Sequence, residues 1–163
     1  MAVDYFIDIE GFDGESEDSA HKNKIDVLSF SWGAHQPGTF GHGTGGTAGK
    51  ASFSDFSFTM QTSKATPKLM TACANGKHIN KAVLYCRKST GDGGQQDYMT
   101  WTFKPIIVSS YQTGGSSGQE IPIDSVSLNY GVVNIEYKTQ ATKGGALTTA
   151  GTFKWDLAQN KEA

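Results

Sequence analysis

Only one stretch of this chain carries a full set of helix signals, and that scarcity constrains the fold more than any other feature. The stretch is Thr66-Pro67-Lys68-Leu69-Met70-Thr71-Ala72-Cys73-Ala74-Asn75-Gly76-Lys77-His78. Thr66 can act as N-cap, its hydroxyl accepting a backbone N–H of the first turn, a contribution of about 1 kcal/mol over alanine. Pro67 then occupies the first helical position, where its missing donor costs nothing. Gly76 suits the left-handed residue that ends a helix, with Lys77 and His78 near the negative end of the dipole. Leu69, Met70 and Cys73 make one narrow apolar stripe. A helix of roughly ten residues is marginal alone in water, so the stripe must dock on something larger.

The remainder reads as strands joined by glycine-rich loops. Val3 to Ile9 alternates, with Val3, Tyr5, Ile7 and Ile9 on one face and Asp4, Phe6 and Asp8 on the other, the pattern of a half-buried strand. A polar loop, acidic then basic, spans 11–24. Ile25 to Gly33 is the second strand: Leu28, Phe30 and Trp32 share one face, and Val27, Ser29 and Ser31 the other, which is small and uncharged. In Ala51 to Met60, Phe56, Phe58 and Met60 are in phase and Phe53 is not, so a bulge is expected near Ser54 or Asp55. Lys81 to Lys88 follows the helix, and Gly91-Asp92-Gly93-Gly94 signals a hairpin turn. Asp97 to Tyr111 is interrupted by Pro105, which belongs at a bend or an edge. Ile121 to Tyr130 and Val132 to Lys138 are expected to pair about Gly131; Ser125, Ser127 and Asn129 alternate there against Val126, Leu128 and Tyr130. Thr152 to Leu157 closes the set.

Segments 36–50 and 139–151 are loose. The first carries glycine at 38, 41, 43, 45, 46 and 49 and is too long for an idle connection, so it is expected to be functional or to order on contact. Eight or nine strands with one helix predict a mainly β, single domain over 1–163. The economical form is a small antiparallel β-barrel, closed or nearly so because closure removes edges, with the helix of about 66–76 packed on its side. A two-sheet sandwich is the alternative.

Composition narrows the functions. Glycine is abundant, at 20 residues, but aromatics reach 11% and charged residues only 18%, which suits a turn-rich β protein rather than disorder. A net charge of −2 offers no footprint for nucleic acid or anionic lipid. No stretch approaches the ~20 apolar residues of a membrane span, so no membrane insertion is expected. Met1-Ala2-Val3-Asp4-Tyr5 lacks a basic region and an apolar run, so no signal peptide is expected: the chain is made in the cytoplasm, and export would need a signal-independent route. Cys73 and Cys86 are expected as buried free thiols.

The motif matches fail on context. Gly41-His42-Gly43-Thr44-Gly45-Gly46 fits the dinucleotide fingerprint but lacks a strand before it and a helix after it. Gly49-Lys50 has a P-loop ending, yet Thr44 stands at the first glycine position and Ala51 at the hydroxyl position. Gly114-Gly115-Ser116-Ser117-Gly118 fits the nucleophile elbow, but a strand follows it rather than a helix. His35 and His42 have no carboxylate or cysteine cluster to complete a metal site, and nothing near Asp4 and Asp8 is placed to raise a carboxylate pKa. No catalytic residue, cofactor or metal is expected.

Together the segments resemble the Hcp family, the haemolysin-coregulated proteins of bacterial type VI secretion. The matching pieces are Met1-Ala2-Val3-Asp4, Gly14-Glu15-Ser16, Ile25 through Gly33, Phe56-Ser57-Phe58-Thr59, the helix from Thr66-Pro67 to Gly76-Lys77-His78, Arg87-Lys88, Ser109-Ser110, Gly114-Gly115-Ser116 and Leu128-Asn129-Tyr130. The resemblance implies a homohexameric ring, with rings stacking into the inner tube of a contractile, phage-tail-like injector and expelled with it. It implies a VgrG-like spike, a contractile sheath and a baseplate as partners, and small effector proteins carried or stabilised in the lumen. Some members carry a C-terminal toxin domain, and none is expected here.

A lumen must let cargo slide, so its face should be small, polar and lightly charged. Ser29, Ser31, Ser125, Ser127 and Asn129 are the candidates. The loop holding Gly38, Thr39, Phe40, Gly41, His42, Gly43, Thr44, Gly45 and Gly46 is the candidate for ring stacking. Two other readings compete: a monomeric β-sandwich module binding carbohydrate or peptide on Trp32, Trp101 or Trp155, and a hydrolase using Ser116.

Overall fold

A computed structural model describes residues 3–41, 43, 45–90, 94–140 and 146–163. Along the chain run β1 (Val3–Ile9), β2 (Ile25–Val27), β3 (Ser29–Ser31), β4 (Ala34–His35), β5 (Ser52–Phe53), β6 (Phe56–Gln61), α1 (Thr66–Asn75), β7 (Ala82–Ser89), β8 (Gln95–Gly114), β9 (Ile123–Gln140), β10 (Leu147–Asp156) and β11 (Lys161–Glu162). The fold is mainly β with one helix, as expected. Nine strands share one antiparallel sheet in the order β11-β10-β9-β8-β7-β1-β2, with β6 joined to β9 and β3 to β6; β4 and β5 pair separately.

The sheet curls back through residues 25–31. β2 pairs with β1, Tyr5 opposite Val27, and β3 pairs with β6, Phe30 opposite Phe58. The two ladders meet at Leu28, where the chain bends and changes partner, so the sheet curls strongly but the expected barrel is not closed by one unbroken hydrogen-bonded ladder. This bend corrects an expectation. Val27 is 7% exposed and Leu28 52%, because the bend shifts the side-chain period by one, and a one-residue shift exchanges the faces of a strand.

β8 and β9 form the spine of the sheet. β8 runs for 20 residues past Pro105, and β9 runs through Gly131 as one strand of 18. The expected pairing of 121–130 with 132–138 is therefore not found. Gly131 stands where a Cβ would come 3.1 Å from Cδ of Pro105, so the glycine admits the proline ring between Lys104↔Val132 and Ile106↔Tyr130. Residues 139–140 and 147–151, expected as loop, extend β9 and β10; 141–145 and the expected turn at 91–93 lie outside the described residues.

Inside, Ile7, Leu84, Phe103, Phe56, Met60 and Leu128 are each fully buried. α1 lies against β8 and adds Ala65, Leu69 and Ala72 to the same core; burying a leucine stabilises by roughly 1.5–3 kcal/mol. Gly76 ends the helix in the left-handed region (φ 66°), its N–H donating to Ala72 O. Two helix details differ from expectation. Thr66 is already helical and Ala65 occupies the N-cap without a side-chain bond. Met70 is 43% exposed, since the buried stripe runs 65-69-72, one helical face along from the expected one. Cys86 is buried and Cys73 half-buried, both as free thiols.

Candidate functional site

Inward alternation on four strands leaves one continuous outward face. β6 buries Phe56, Phe58 and Met60 and turns Ser57, Thr59 and Gln61 outward. β9 buries Asp124, Val126, Leu128 and Tyr130 and turns Ser125, Ser127 and Asn129 outward. Register then aligns hydroxyls across strands. Ser31 pairs with Ser57, Ser57 with Ser127 and Ser127 with Ser110; Ser29 pairs with Thr59, Thr59 with Ser125 and Ser125 with Gln112. The side chains bond along these rows, Ser29 Oγ to Thr59 Oγ1 at 2.6 Å and Ser57 Oγ to Ser127 Oγ at 2.8 Å.

The rows enclose a shallow depression of about 210 Å³ whose polar lining is Ser31, Ser57, Thr59, Ser110, Gln112, Ser125 and Ser127. None of these side chains carries a charge. Asp55 marks one end, accepting hydrogen bonds from Ser109 (2.7 Å) and Asn129 (2.9 Å). All five expected residues, Ser29, Ser31, Ser125, Ser127 and Asn129, are thus brought onto one face. Asp55, Ser57, Thr59, Ser110 and Gln112 were not singled out from the sequence. The Phe56/Phe58/Met60 alternation held the signal for Ser57 and Thr59. The bulge between Val108 and Ser110 concealed the rest.

Residues 36–41 and 45–50 adjoin this face and form the two limbs of an arm, not a loose loop. β4 and β5 pair through Ala34↔Phe53 and His35↔Ser52, and the pairing continues to Gly49 N–H→Pro37 O, the Gly38↔Ala48 bridge and Thr39 N–H→Thr47 O. Near the tip Phe40 is 86% exposed, its ring lying over Gly46 so closely that a Cβ there would collide with it. Gly41, Gly43 and Gly45 are exposed along with it; His42 and Thr44 lie outside the described residues. The arm's base is pinned at Ser54, whose N–H donates to Gly33 O and whose carbonyl accepts from Tyr130 OH (2.9 Å). Trp32 Nε1 in turn donates to that tyrosine oxygen. The polar face and the arm therefore meet at the consecutive residues Ser54 and Asp55.

The competing sites are not assembled as their motifs require. Ser116 lies in the turn joining β8 to β9, two antiparallel strands, rather than at a strand-to-helix elbow. Trp101 is 7% exposed, packed among Phe30, Phe56 and Trp32, and Trp155 is half-buried against Phe53; neither offers a free platform. Among the described residues no three of His, Cys, Asp and Glu gather as metal ligands.

Residues 6–137 match the family model described as "Type VI secretion system effector, Hcp". The chain is 42% identical to Protein hcp1 of Pseudomonas aeruginosa over 163 residues, all of both chains. It is similar to a solved type six secretion system protein at TM-score 0.90 and 32% identity, covering 99% of this chain and 100% of that one. Hcp1 from Salmonella typhimurium matches at TM-score 0.79 and 37% identity, covering 100% of both.

Proposed function

The chain belongs to the Hcp family of type VI secretion proteins, and on that premise we propose that six copies close into a ring whose bore is lined by the outward face of β3, β6, β8 and β9. It is a structural tube subunit of that secretion system. Rings stack through the arm, the tube meets a VgrG-like spike, a sheath and a baseplate, and small effectors ride in the lumen and leave with the tube. No catalytic step is assigned to the chain.

The observation that carries this reading is the charge-free hydroxyl surface itself. A bore that transports proteins must stay wet without gripping its cargo. Hydroxyls that satisfy one another across strands, as Ser57 and Ser127 do, present little unmet hydrogen-bonding capacity to a passing surface. Fixed charges would bind or repel each cargo according to its sign. The test is Ser31→Trp together with Ser127→Trp, read by size-exclusion and by co-purification of a co-expressed effector. Rings of unchanged size that lose their effector are expected; dissociated rings would place these serines at a subunit contact instead.

A further inference from the structure

Residues 14–24 form a strap over the outer face of β1 and β7, on the side away from the main core. Gly14 N–H donates to Asn23 O, Ser16 N–H to Lys24 O and Asn23 N–H to Ser16 O, so the two limbs of the strap are laced together. Under it Phe6, on the polar side of β1 by its sequence phase, is 4% exposed.

The strap is held down by His21, itself 3% exposed. Its ring lies between Phe6 (centroids 5.0 Å apart) and Tyr85 (4.6 Å). Nε2 is 2.8 Å from Asp97 Oδ1 on β8, and Nδ1 is 2.9 Å from Lys24 Nζ. An ammonium group has hydrogens to give and no lone pair to offer, so Nδ1 must be the acceptor and carries no proton. The single ring proton is then on Nε2, donated to the Asp97 carboxylate. The hydrogen-bond chain Lys24→His21→Asp97 is complete only for neutral histidine.

We propose that this strap is a latch that opens with acid, released when His21 takes up a second proton at Nδ1. That proton, drawn from solvent, would lie between Nδ1 and an ammonium 2.9 Å away, and it would leave a buried donor with no acceptor. Lys24 is expelled, and with it goes its seat over the Tyr85 ring, 4.1 Å from the centroid. The neighbouring carboxylates attract an imidazolium, Asp97 and Asp18 first, but neither accepts at Nδ1. Asp97 accepts from Nε2 in both protonation states. Asp18 is occupied by the N–H groups of Ala20 and His21 and by Arg87 at 3.4 Å. Arg87 also approaches Asp97 at 3.7 Å and donates to Gln95 O, adding a second cation against an imidazolium. Asp4 and Asp8 on β1 and Asp26 on β2 complete the charged surroundings. Imidazole is the side chain suited to switching in the mildly acidic range.

The test is hydrogen exchange on the full chain at pH 7.5 and pH 5.0, corrected for intrinsic rates and read over residues 14–24 against β9 as internal standard. Protection of 14–24 is expected to fall about tenfold at pH 5.0 while β9 holds. His21→Gln, which can accept from Lys24 and donate to Asp97 at either pH, should keep its protection at both. Lys24→Met removes the repelling charge and leaves the vacated Nζ position to a water that can accept from a protonated Nδ1, so it should open less than the wild type at pH 5.0. Unchanged protection in the wild-type chain, or opening of Lys24→Met equal to the wild type, would overturn the latch.

Discussion

Asp124 is fully buried on β9 yet held below the ordinary carboxylate pKa. Burial pushes that pKa up, but hydrogen bonds to the carboxylate, led by Thr66, more than offset it. Thr66 Oγ1 donates to Oδ2 at 2.7 Å and Thr62 Oγ1 to Oδ1 at 3.0 Å. Thr66 is itself helical rather than the cap of α1; its Oγ1 accepts from Ser63 N–H at 3.1 Å while its proton goes to the charged carboxylate, a stronger partner than a neutral one. A carboxyl with a folded pKa below its unfolded value near 3.9 contributes stability above that unfolded value and loses it as pH falls through the folded one. Asp124→Asn should therefore cost about 2 kcal/mol at pH 7, in the range of hydrogen bonds to charged groups. Denaturant unfolding should show that deficit persisting down to about pH 4 and narrowing below it, as the wild-type carboxyl itself protonates.

Among the elements, the arm shows how glycine content misleads. Six glycines between 38 and 49 read as loose chain that is functional or orders on contact, since no core forms there. What orders it is backbone pairing between two limbs that start from the already paired β4 and β5, which needs no side chains at all. An element so weakly tied to the body can be removed cheaply. Deleting 38–49 should leave the thermal midpoint of the subunit within a few degrees while abolishing stacking of rings into tubes, seen by negative stain. Tubes of normal length from the deletion would leave the arm without its proposed role. β8 and β9 show the reverse error. Pro105 and Gly131 each look like a stop, yet opposite each other in the register they accommodate one another and both strands continue.

At the scale of the whole molecule, the polar face exists only because four strands from distant parts of the chain are registered side by side. Its extent, from Ser29 to Gln112 across the rows and to Asp55 at one end, is what a curved lining of a bore requires of each subunit. Native mass measurement should find a species six times the 17.5 kDa of one chain. A product that stays monomeric at all concentrations would dissolve the ring reading and with it the meaning of the face. The family, the β class and the five residues Ser29, Ser31, Ser125, Ser127 and Asn129 were legible as local alternation and short motifs. The hydroxyl rows were not, because a pairing register is a property of two strands and neither strand contains it alone.

By itself the sequence determined what depends on neighbours along the chain: one helix ended by Gly76, strands whose alternate residues are apolar, and an irregularity near Ser54 or Asp55, expected as a bulge and found as the gap between β5 and β6 in separate sheets. Only the tertiary structure decided the bend at Leu28 that swaps Val27 inward, the donation of Thr66 to the buried Asp124, and the seat of His21 beneath its strap. Each of these trades a local preference for a partner that folding brings close from a distant part of the chain, and a buried polar group must take such a partner or bear the full cost of desolvation.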